Sequence, residues 1–288
     1  MKYILNTVFI FLISSTAFSQ YTEADPSWNQ PVEPFKIAGN IYYVGANEIT
    51  SYLIATPKGH ILLDSGFRET VPQITSNIKK LGFDPMDVKF LINSQAHYDH
   101  AGGLAELRRL TGAKLLISEG DSVLIKNGGK GDPNFVDRFA FEPAVVDRTF
   151  KDGYRLKLGR TNLTANITPG HTPGCTTWTA TVKEGGKVRK VVFVCSTSAP
   201  GYKLVDNPGY PSIAEDFDRS FKWLRSLKPD IFLAAHGSMF DLTSKIELIR
   251  REAKENVFVD PKGFDAYVDQ SEKNFRGMLK DQSESKGH

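Results

Sequence analysis

The hexapeptide Gln95-Ala96-His97-Tyr98-Asp99-His100 begins two residues after a short apolar run, Val88–Asn93. A run this short and this apolar is typical of a buried strand, so the hexapeptide follows a strand end. Two more histidines, His171 and His236, lie in glycine-containing turns after apolar runs of the same kind. Neutral imidazoles and a carboxylate at short spacing suit zinc, because they fill a low-coordinate shell and leave a position for water. The sequence therefore predicts a metal site where several strands end.

The histidine content of the chain supports this interpretation. There are six histidines, and only His60 and His288 lie outside these motifs. A single histidine is more often an ordinary surface or core residue than a ligand, and isolated motif matches include false positives. Four histidines that all follow strand ends are not explained as ordinary surface or core residues.

Composition and charge indicate an exported globular protein. A basic start, an apolar run and a small-residue cleavage signal make residues 1–19 a secretory signal peptide that is removed after Ser19, which predicts a periplasmic location. The remaining 20–288, in a chain that is 40% hydrophobic, can bury a core as a single domain, which we expect to be a monomer. No later run is long enough to anchor the mature chain in a membrane. The net charge of +3 comes without a dense basic tract, so we expect no nucleic-acid partner.

Cys175 and Cys195 leave two alternatives open. An oxidising compartment permits a disulfide, but spacing alone does not reveal whether the geometry allows one. We expect two free buried thiols.

Hydrophobic periodicity divides the chain into strands and helices that occur in two similar halves. The helix that begins with Val71 ends at Gly82, and a capping box of Ser212 with Glu215 starts a later helix. Strands followed by helices, twice, predict two facing sheets with helices outside and a site along the shared edge. The predicted strands are Phe35–Val44, Ser51–Ala55, His60–Asp64, Val88–Asn93, Ala113–Ile117, Leu163–Ile167, the hairpin Trp178–Val182 with Val188–Cys195, and Ile231–Ala235, and the last helices are Ser244–Asn256 and Pro261–Lys280.

The motif H-x-H-x-D-H, with a later Gly-His and a final His, resembles the metallo-β-lactamase superfamily, here with Gln95 in place of the first motif histidine. The resemblance covers nearly all of the mature chain and implies an α/β fold, the αββα sandwich with two facing mixed β-sheets. Two segments, 170–178 and 196–202, are similar to the third subclass of class B β-lactamases.

The resemblance also implies two zinc sites. The first would be formed by Gln95, His97 and His171, and the second by Asp99, His100 and His236. An amide oxygen donates less strongly to zinc than an imidazole does, so the first site should be the weaker one. We expect one firm Zn²⁺ at the second site and one held conditionally at the first.

The implied activity is hydrolysis of the amide bond of β-lactam antibiotics, namely penicillins, cephalosporins and carbapenems, which confers resistance to them. Zinc lowers the pKa of bound water to about 7, and the resulting hydroxide attacks the lactam carbonyl. Asp99 has two possible roles, zinc ligand and catalytic group that orients this water, and the ligand role is favoured because its carboxylate lies between two histidines in the motif.

Three further residues have two possible roles each. Family resemblance gives Ser196 and Ser198 hydroxyl contacts with the substrate or its attacking water, whereas a serine-rich turn is the alternative. Asp64 would orient a ligand through hydrogen bonds or cap a turn. Strand alternation turns Cys195 away from the face of Ser196, which makes Cys195 a packing residue.

Two other functions stay open. Enzymes of the same superfold hydrolyse thioesters, lactones or phosphoesters. Their usual bridging carboxylate would fall near Cys195, but Lys190–Lys203 contains no acidic residue, which favours the β-lactamase. The second alternative is a non-catalytic exported zinc-binding protein.

Overall fold

The structure, a computed structural model, describes residues 26–285. The predicted signal peptide, residues 1–19, lies outside this range.

The first half of the chain forms a seven-stranded mixed sheet whose strands lie in chain order. The first four strands pair antiparallel, and the last three add to them in parallel. These strands are β1 (Phe35–Ala38), β2 (Ile41–Tyr43), β3 (Tyr52–Thr56), β4 (Gly59–Leu63), β5 (Val88–Ile92), β6 (Lys114–Ser118) and β7 (Arg148–Phe150).

The second half forms a five-stranded sheet in the order β12-β11-β10-β9-β8. Its hairpin between β10 and β11 turns at Gly185 and Gly186, which have φ angles of 55° and 76°. Both angles lie in the left-handed region that glycine adopts without strain, as a two-residue hairpin turn requires. The strands are β8 (Arg155–Leu158), β9 (Thr161–Ile167), β10 (Thr176–Glu184), β11 (Lys187–Val194) and β12 (Ile231–Ala234).

The helices are α1 (Val71–Lys80), α2 (Tyr98–Ala101), α3 (Leu104–Thr111), α4 (Ser122–Lys126), α5 (Ile213–Ser226), α6 (Leu242–Arg250) and α7 (Pro261–Glu284). None of those within residues 26–285 is both long and apolar enough to cross a membrane.

Alternation along the central strands separates two cores. On β4, Leu62 packs into a core that includes α1 and α3, whereas Ile61 and Leu63 pack into the core shared with the second sheet. The larger core also includes the apolar faces of α5 and α7. The layers are therefore helices, sheet, sheet and helices, and the predicted αββα sandwich is confirmed.

Several element boundaries differ from those predicted. The run Phe35–Val44 forms two strands, because the chain turns at Gly39 (φ 55°). No capping box forms at α5: the Ser212 hydroxyl donates to Asp216 Oδ2 (3.2 Å) and makes no cap bond to a backbone N–H. The predicted helix Ser244–Asn256 begins two residues earlier and ends at Arg250.

The expectation of two free thiols was wrong, since Cys175 and Cys195 form a disulfide. Strands β10 and β11 are antiparallel with Trp178 opposite Phe193, so Cys175 and Cys195 lie almost opposite each other at the end of this ladder. Their Cα atoms are 5.9 Å apart, within the range that a disulfide spans. The spacing of the two cysteines in the sequence does not reveal this strand register, and the disulfide was therefore not predicted.

Candidate metal centre

Three strand ends meet at one edge of the sandwich. Strand β5 ends at Ile92 in the first sheet, and β9 and β12 end at Ile167 and Ala234 in the second. The predicted ligands follow these three ends in the turns that contain Gln95, His97, Asp99, His100, His171 and His236. Each sheet therefore contributes to the site.

The turn before His171 depends on a glycine. Gly170 has a φ of 130°, and a Cβ atom there would lie 2.6 Å from Cγ of Phe217 on α5. Only glycine combines this backbone angle with such a close helix. The tight approach fixes where His171 enters the site.

Asp99, His100 and His236 form a compact cluster. His100 Nε2 lies 3.1 Å from His236 Nε2, and Asp99 Oδ2 lies 3.3 Å from the first and 3.4 Å from the second. One donor atom from each residue lies within 4.8 Å of the others, as for ligands of one metal ion.

The cluster is strongly coupled electrostatically. Burial raises the pKa of Asp99, but the two imidazoles lower it well below its usual value. Burial lowers the pKa of His100, yet the carboxylates of Asp99 and Asp64 raise it to about 10. Asp99 is therefore anionic, and a metal ion that binds His100 has to displace a proton from it.

His97 and His171 form a second pair of facing imidazoles. His97 Nδ1 lies 3.0 Å from His171 Nε2. The other ring nitrogen of His171, Nδ1, lies 2.7 Å from the carbonyl of Ser198, which directs Nε2 toward His97. Burial and the neighbouring His97 lower the pKa of His171 to about 3, so this imidazole is neutral, the form that binds a metal.

Gln95 carries two buried polar atoms with no partner. The residue is 1% exposed, and neither its Oε1 nor its Nε2 makes a hydrogen bond in the structure. Burying an amide without a partner costs about 1–3 kcal/mol. An amide oxygen that bound a metal would recover part of this cost. The unsatisfied side chain thus fits the predicted zinc site, two residues from His97.

Asp64 organises the start of the hexapeptide. Its Oδ1 accepts hydrogen bonds from Asn93 Nδ2 (2.8 Å) and Ser94 N (2.7 Å), and its Oδ2 accepts one from Ser94 Oγ (2.7 Å). Oδ2 also lies 3.7 Å from His100 Nδ1, which is an electrostatic contact beyond hydrogen-bonding distance. Asp64 is 2% exposed, and these contacts are those of a residue that orients a ligand turn.

Three acidic residues at the site were missed by sequence reasoning. Glu48 Oε1 lies 3.5 Å from His236 Nδ1, and Asp132 Oδ2 lies 3.2 Å from His97 Nε2. Asp132 comes from the loop between α4 and β7. Each carboxylate contacts the ring nitrogen that faces away from the cluster, and this fixes the orientation of the ring.

The third of these residues, Asp121, connects two ligand turns. Its Oδ2 accepts hydrogen bonds from Ala96 N (3.0 Å) and Thr172 Oγ1 (2.8 Å), and its Oδ1 accepts one from Gly174 N (2.7 Å). Ala96 lies between Gln95 and His97, and Thr172 follows His171. Asp121 therefore holds the first predicted ligand set together. No local motif marks these three acidic residues in the sequence.

The two predicted substrate-binding serines differ in accessibility. Ser196 is 4% exposed, and its Oγ accepts a hydrogen bond from Ser198 N (3.2 Å) and lies 3.1 Å from Ser198 Oγ. Ser198 is exposed and lines the cavity at the site. Of the two hydroxyls, that of Ser198 is the one in reach of a ligand.

A cavity of about 330 Å³ opens over the cluster. Its wall combines metal-type donors with aromatic side chains and a single arginine. A larger groove of about 720 Å³ is lined by β8–β11 and the end of α5, but none of the predicted ligands contributes to it. Chemistry and not size identifies the smaller cavity as the candidate site. Its lining consists of Trp28, His97, Tyr98, Asp99, Phe135, Arg138, Phe139, His171, Ser198, Pro200 and His236.

Comparison with known families agrees with this geometry. The family described as the Metallo-beta-lactamase superfamily matches residues 44–236, a segment that contains every predicted ligand. The chain belongs to the metallo-β-lactamase superfamily.

Solved structures of metallo-β-lactamases are similar to the chain over most of its length. Native FEZ-1 metallo-β-lactamase from Legionella gormanii is 46% identical, with 88% of this chain and 98% of that one covered and a TM-score of 0.87. BJP-1, a subclass B3 metallo-β-lactamase of Bradyrhizobium japonicum, is 38% identical, with 90% and 98% covered and a TM-score of 0.84. The resemblance to the superfamily and to its third subclass is confirmed.

Curated relatives with other activities are more distant. The N-acyl homoserine lactonase AttM of Azorhizobium caulinodans is 24% identical over 61% of this chain and 75% of its own length. Several further relatives are matched over only 27% to 56% of their length.

Proposed function

We propose that this protein is a zinc-dependent β-lactamase that hydrolyses the amide bond of penicillins, cephalosporins and carbapenems. The observation that carries the proposal is that Asp99 and histidines of both facing imidazole pairs line one cavity. The likeness to FEZ-1 and BJP-1 supports the same conclusion.

We assign the residues to two zinc sites. Asp99, His100 and His236 would hold one zinc firmly, because an anionic carboxylate joins two imidazoles there. His97, His171 and the neutral amide of Gln95 would hold a second zinc more weakly. When bound, zinc supplies a Lewis acid for the lactam carbonyl and lowers the pKa of water to about 7.

The protein's own groups position the reactants. Asp99 lines the cavity as a carboxylate, so it would accept a hydrogen bond from the attacking water and orient it toward the carbonyl. The Ser198 hydroxyl donates a hydrogen bond to the substrate. Trp28, Phe135 and Phe139 form an apolar wall that excludes bulk water from the reacting bond.

A lactonase is the second candidate, because AttM is a relative of this chain. The segment 190–203 contains no acidic residue, and Cys195, where a bridging carboxylate would fall, is buried in the disulfide. This favours the β-lactamase over a lactonase or thioesterase. If the protein only bound zinc, the cavity that Asp99 lines would have no substrate to bind.

The test is turnover by the zinc-loaded protein. We expect it to open a carbapenem and a cephalosporin, to lose this activity with a chelator, and to ignore clavulanate, which traps serine enzymes. Asp99→Asn should reduce kcat by at least about 100-fold, as expected when a group that orients the nucleophile is lost. Asp265→Asn, which changes an exposed aspartate on α7, should not.

The outcomes separate the candidates. Opening of an N-acyl homoserine lactone without β-lactam turnover would favour the lactonase. Stoichiometric zinc without turnover of either substrate would favour the binding protein.

We further propose that the mature chain, residues 20–288, is an exported monomeric domain, which mass determination on periplasmic protein would test.

A further inference from the structure

The second sheet carries a concentration of positive charge. Residues 155–190, which run from β8 into β11, contain seven lysines and arginines and one acidic residue, although the whole chain has a net charge of only +3. The acidic residue, Glu184, accepts a hydrogen bond from Gly39 N (2.6 Å) and so is directed toward the first sheet. The positive charge of this segment is therefore not balanced within it.

Strand register places four of these cations on the outer face of the sheet. Arg155 lies opposite Thr164, and Thr164 lies opposite Thr179, so the three side chains share one face. By alternation and pairing, three lysines of β8, β10 and β11 lie on the same face, namely Lys157, Lys183 and Lys190. The opposite face of these strands, which includes Leu163 and Trp178, is buried between the two sheets. We call the exposed side with Arg155 and the three lysines the cationic face.

The cations of this face lack carboxylate partners. Elsewhere on the surface, Arg108 binds Asp147 (3.0 Å) and Arg225 binds Asp269 (2.7 Å). None of the four cations of the cationic face has a carboxylate within 4.0 Å among residues 26–285. Like charges that share a face repel one another, so binding of an anionic partner would be favoured there.

Two adjoining grooves open on the cationic face, and Thr181 lines both of them. Their volumes are about 720 and 700 Å³, and no acidic residue of the described chain lines either one. Each groove has three cations in its lining, Arg155, Lys190 and Lys228 in the first and Lys58, Arg160 and Lys183 in the second. Threonine and asparagine side chains add neutral hydrogen-bond donors. Cations together with hydroxyl and amide donors suit phosphate oxygens.

The remaining lining favours lipid over nucleic acid. Proteins that bind single-stranded nucleic acid place aromatic rings in a cationic groove, where the bases stack. Within the described residues, no phenylalanine, tyrosine or tryptophan lines either groove. Val188 lies opposite Lys183 at the hairpin end of the face and is 64% exposed. An exposed apolar side chain among cations suits the boundary between phosphates and acyl chains, where apolar burial and attraction to anionic lipids act together.

We propose that the cationic face binds the surface of a membrane that contains anionic phospholipids. Its lysines and arginine contact lipid phosphates, so the association is peripheral. Strand β10 begins at Thr176, near the metal site, and seven residues at about 3.3 Å each place Lys183 about 23 Å away. The cavity at the metal site therefore lies outside the contact and stays open to solution. The proposal does not depend on the proposed β-lactamase function.

Co-sedimentation with vesicles tests the proposal. The purified protein should bind phosphatidylcholine vesicles that contain about one third phosphatidylglycerol, and should not bind vesicles of phosphatidylcholine alone. Binding should be lost as salt is raised from about 0.1 M to about 1 M, because the Debye length falls from about 10 Å to about 3 Å. The triple variant Arg155→Gln/Lys183→Gln/Lys190→Gln should bind the anionic vesicles about 100-fold more weakly, since each basic residue near such a surface contributes about fivefold.

Two control variants separate this face from net charge. Lys79→Gln/Lys130→Gln/Lys262→Gln removes the same number of exposed cations from α1, a loop and α7, and its affinity should stay within about twofold of the wild type. Lys183→Arg/Lys190→Arg keeps the charge of the face and should bind as the wild type does. Equal melting temperatures would show that all variants are folded.

Several results would overturn the assignment. Absence of binding to the anionic vesicles at low salt, or equal binding to both kinds of vesicle, would mean that the face does not recognise anionic lipid. Equal losses in the two triple variants would mean that net charge and not this face is responsible. Tighter binding of polyuridylic acid than of the vesicles, lost in the Arg155→Gln/Lys183→Gln/Lys190→Gln variant, would identify the partner as nucleic acid. None of these results bears on β-lactam turnover, which that variant should retain.

Discussion

Gln95 stands where the resemblance to the superfamily implies the first histidine of the metal motif. It is buried with both amide atoms unpartnered, two residues before His97 in the chain. A neutral amide oxygen donates less strongly to zinc than an imidazole does. We therefore expect the zinc content of the purified protein to depend on the zinc concentration supplied.

Gln95→His tests this role directly. The variant should bind its second zinc at least about tenfold more tightly, because an imidazole replaces the weaker donor. Competition with a metallochromic indicator measures both affinities on one sample, and the tighter one should not change. Gln73→His alters a glutamine on α1 that donates to the carbonyl of Gly45, and it serves as a control. Identical titration curves for wild type and Gln95→His would mean that residue 95 does not bind zinc.

The residues of the site were accessible to sequence reasoning to different degrees. The histidines belong to short motifs with characteristic spacing, and the structure brings His97 to His171 and His100 to His236 as neighbours. Their role as zinc ligands stays a prediction. Glu48, Asp121 and Asp132 were missed because each lies in a connecting segment outside any recognisable motif. The fold places Glu48 and Asp132 beside imidazole rings and places Asp121 between the two turns that contain predicted ligands.

At the scale of elements, the junction of α6 and α7 contains a partly buried ion pair. Lys245 is 5% exposed, and its Nζ donates to Asp260 Oδ2 (2.9 Å) and to the carbonyl of Phe240 (2.6 Å). Asp260 also caps α7, since its Oδ1 accepts a hydrogen bond from Gly263 N (2.8 Å). Burial raises the pKa of Asp260, but Lys245 and the cap bond lower it below the ordinary 3.8.

Asp260→Asn should therefore destabilise the fold in a pH-dependent way. A lowered carboxyl pKa means that the stabilisation is present above about pH 4 and is lost as the pH falls through the folded pKa. At pH 7 the variant should lose about 1–3 kcal/mol of unfolding free energy, because the buried Lys245 is left without its carboxylate partner. Urea denaturation of metal-free protein from pH 7 to pH 3 should show the difference shrinking. Asp265→Asn, at an exposed site, should stay within about 0.5 kcal/mol of the wild type throughout. A difference that is the same at all pH values would contradict the ion-pair explanation.

Element types were easier to predict than element ends or cross-links. The apolar runs of β4, β5 and β12 and the periodic face of α1 are local properties, and these elements appear as predicted. The capping box at Ser212 failed because Asp216 competes for the same hydroxyl. The disulfide was missed because pairing of Cys175 with Cys195 depends on the register of β10 against β11. Edge strands such as β7 contain few apolar residues, so the sequence shows no hydrophobic pattern from which to predict them.

On the scale of the whole molecule, packing of the two sheets also sets the geometry of the site. The indole of Trp178, in the second sheet, donates to the carbonyl of Asn93 (3.1 Å), just before the hexapeptide. The hydroxyl of Tyr52, in the first sheet, donates to the carbonyl of Ala234 (2.7 Å), two residues before His236. Each sheet thus holds a ligand turn of the other. Repetition of strands and helices predicted the layers, but these cross-sheet bonds required the three-dimensional fold.

Because both sheets provide the predicted ligands, zinc should stabilise the molecule as a whole. A ligand present at 100 times its Kd adds about 2.7 kcal/mol, which corresponds to a rise in Tm of roughly 5–10 °C for a domain of this size. The gain should depend on pH, because zinc must displace the proton that Asp99 and Asp64 hold on His100, whose pKa is raised to about 10. Thermal melts of metal-free protein with and without zinc should show a larger shift at pH 8 than at pH 6. Magnesium, which prefers oxygen ligands, should leave Tm unchanged. An equal shift with both ions, or one independent of pH, would mean that the imidazoles do not bind the metal.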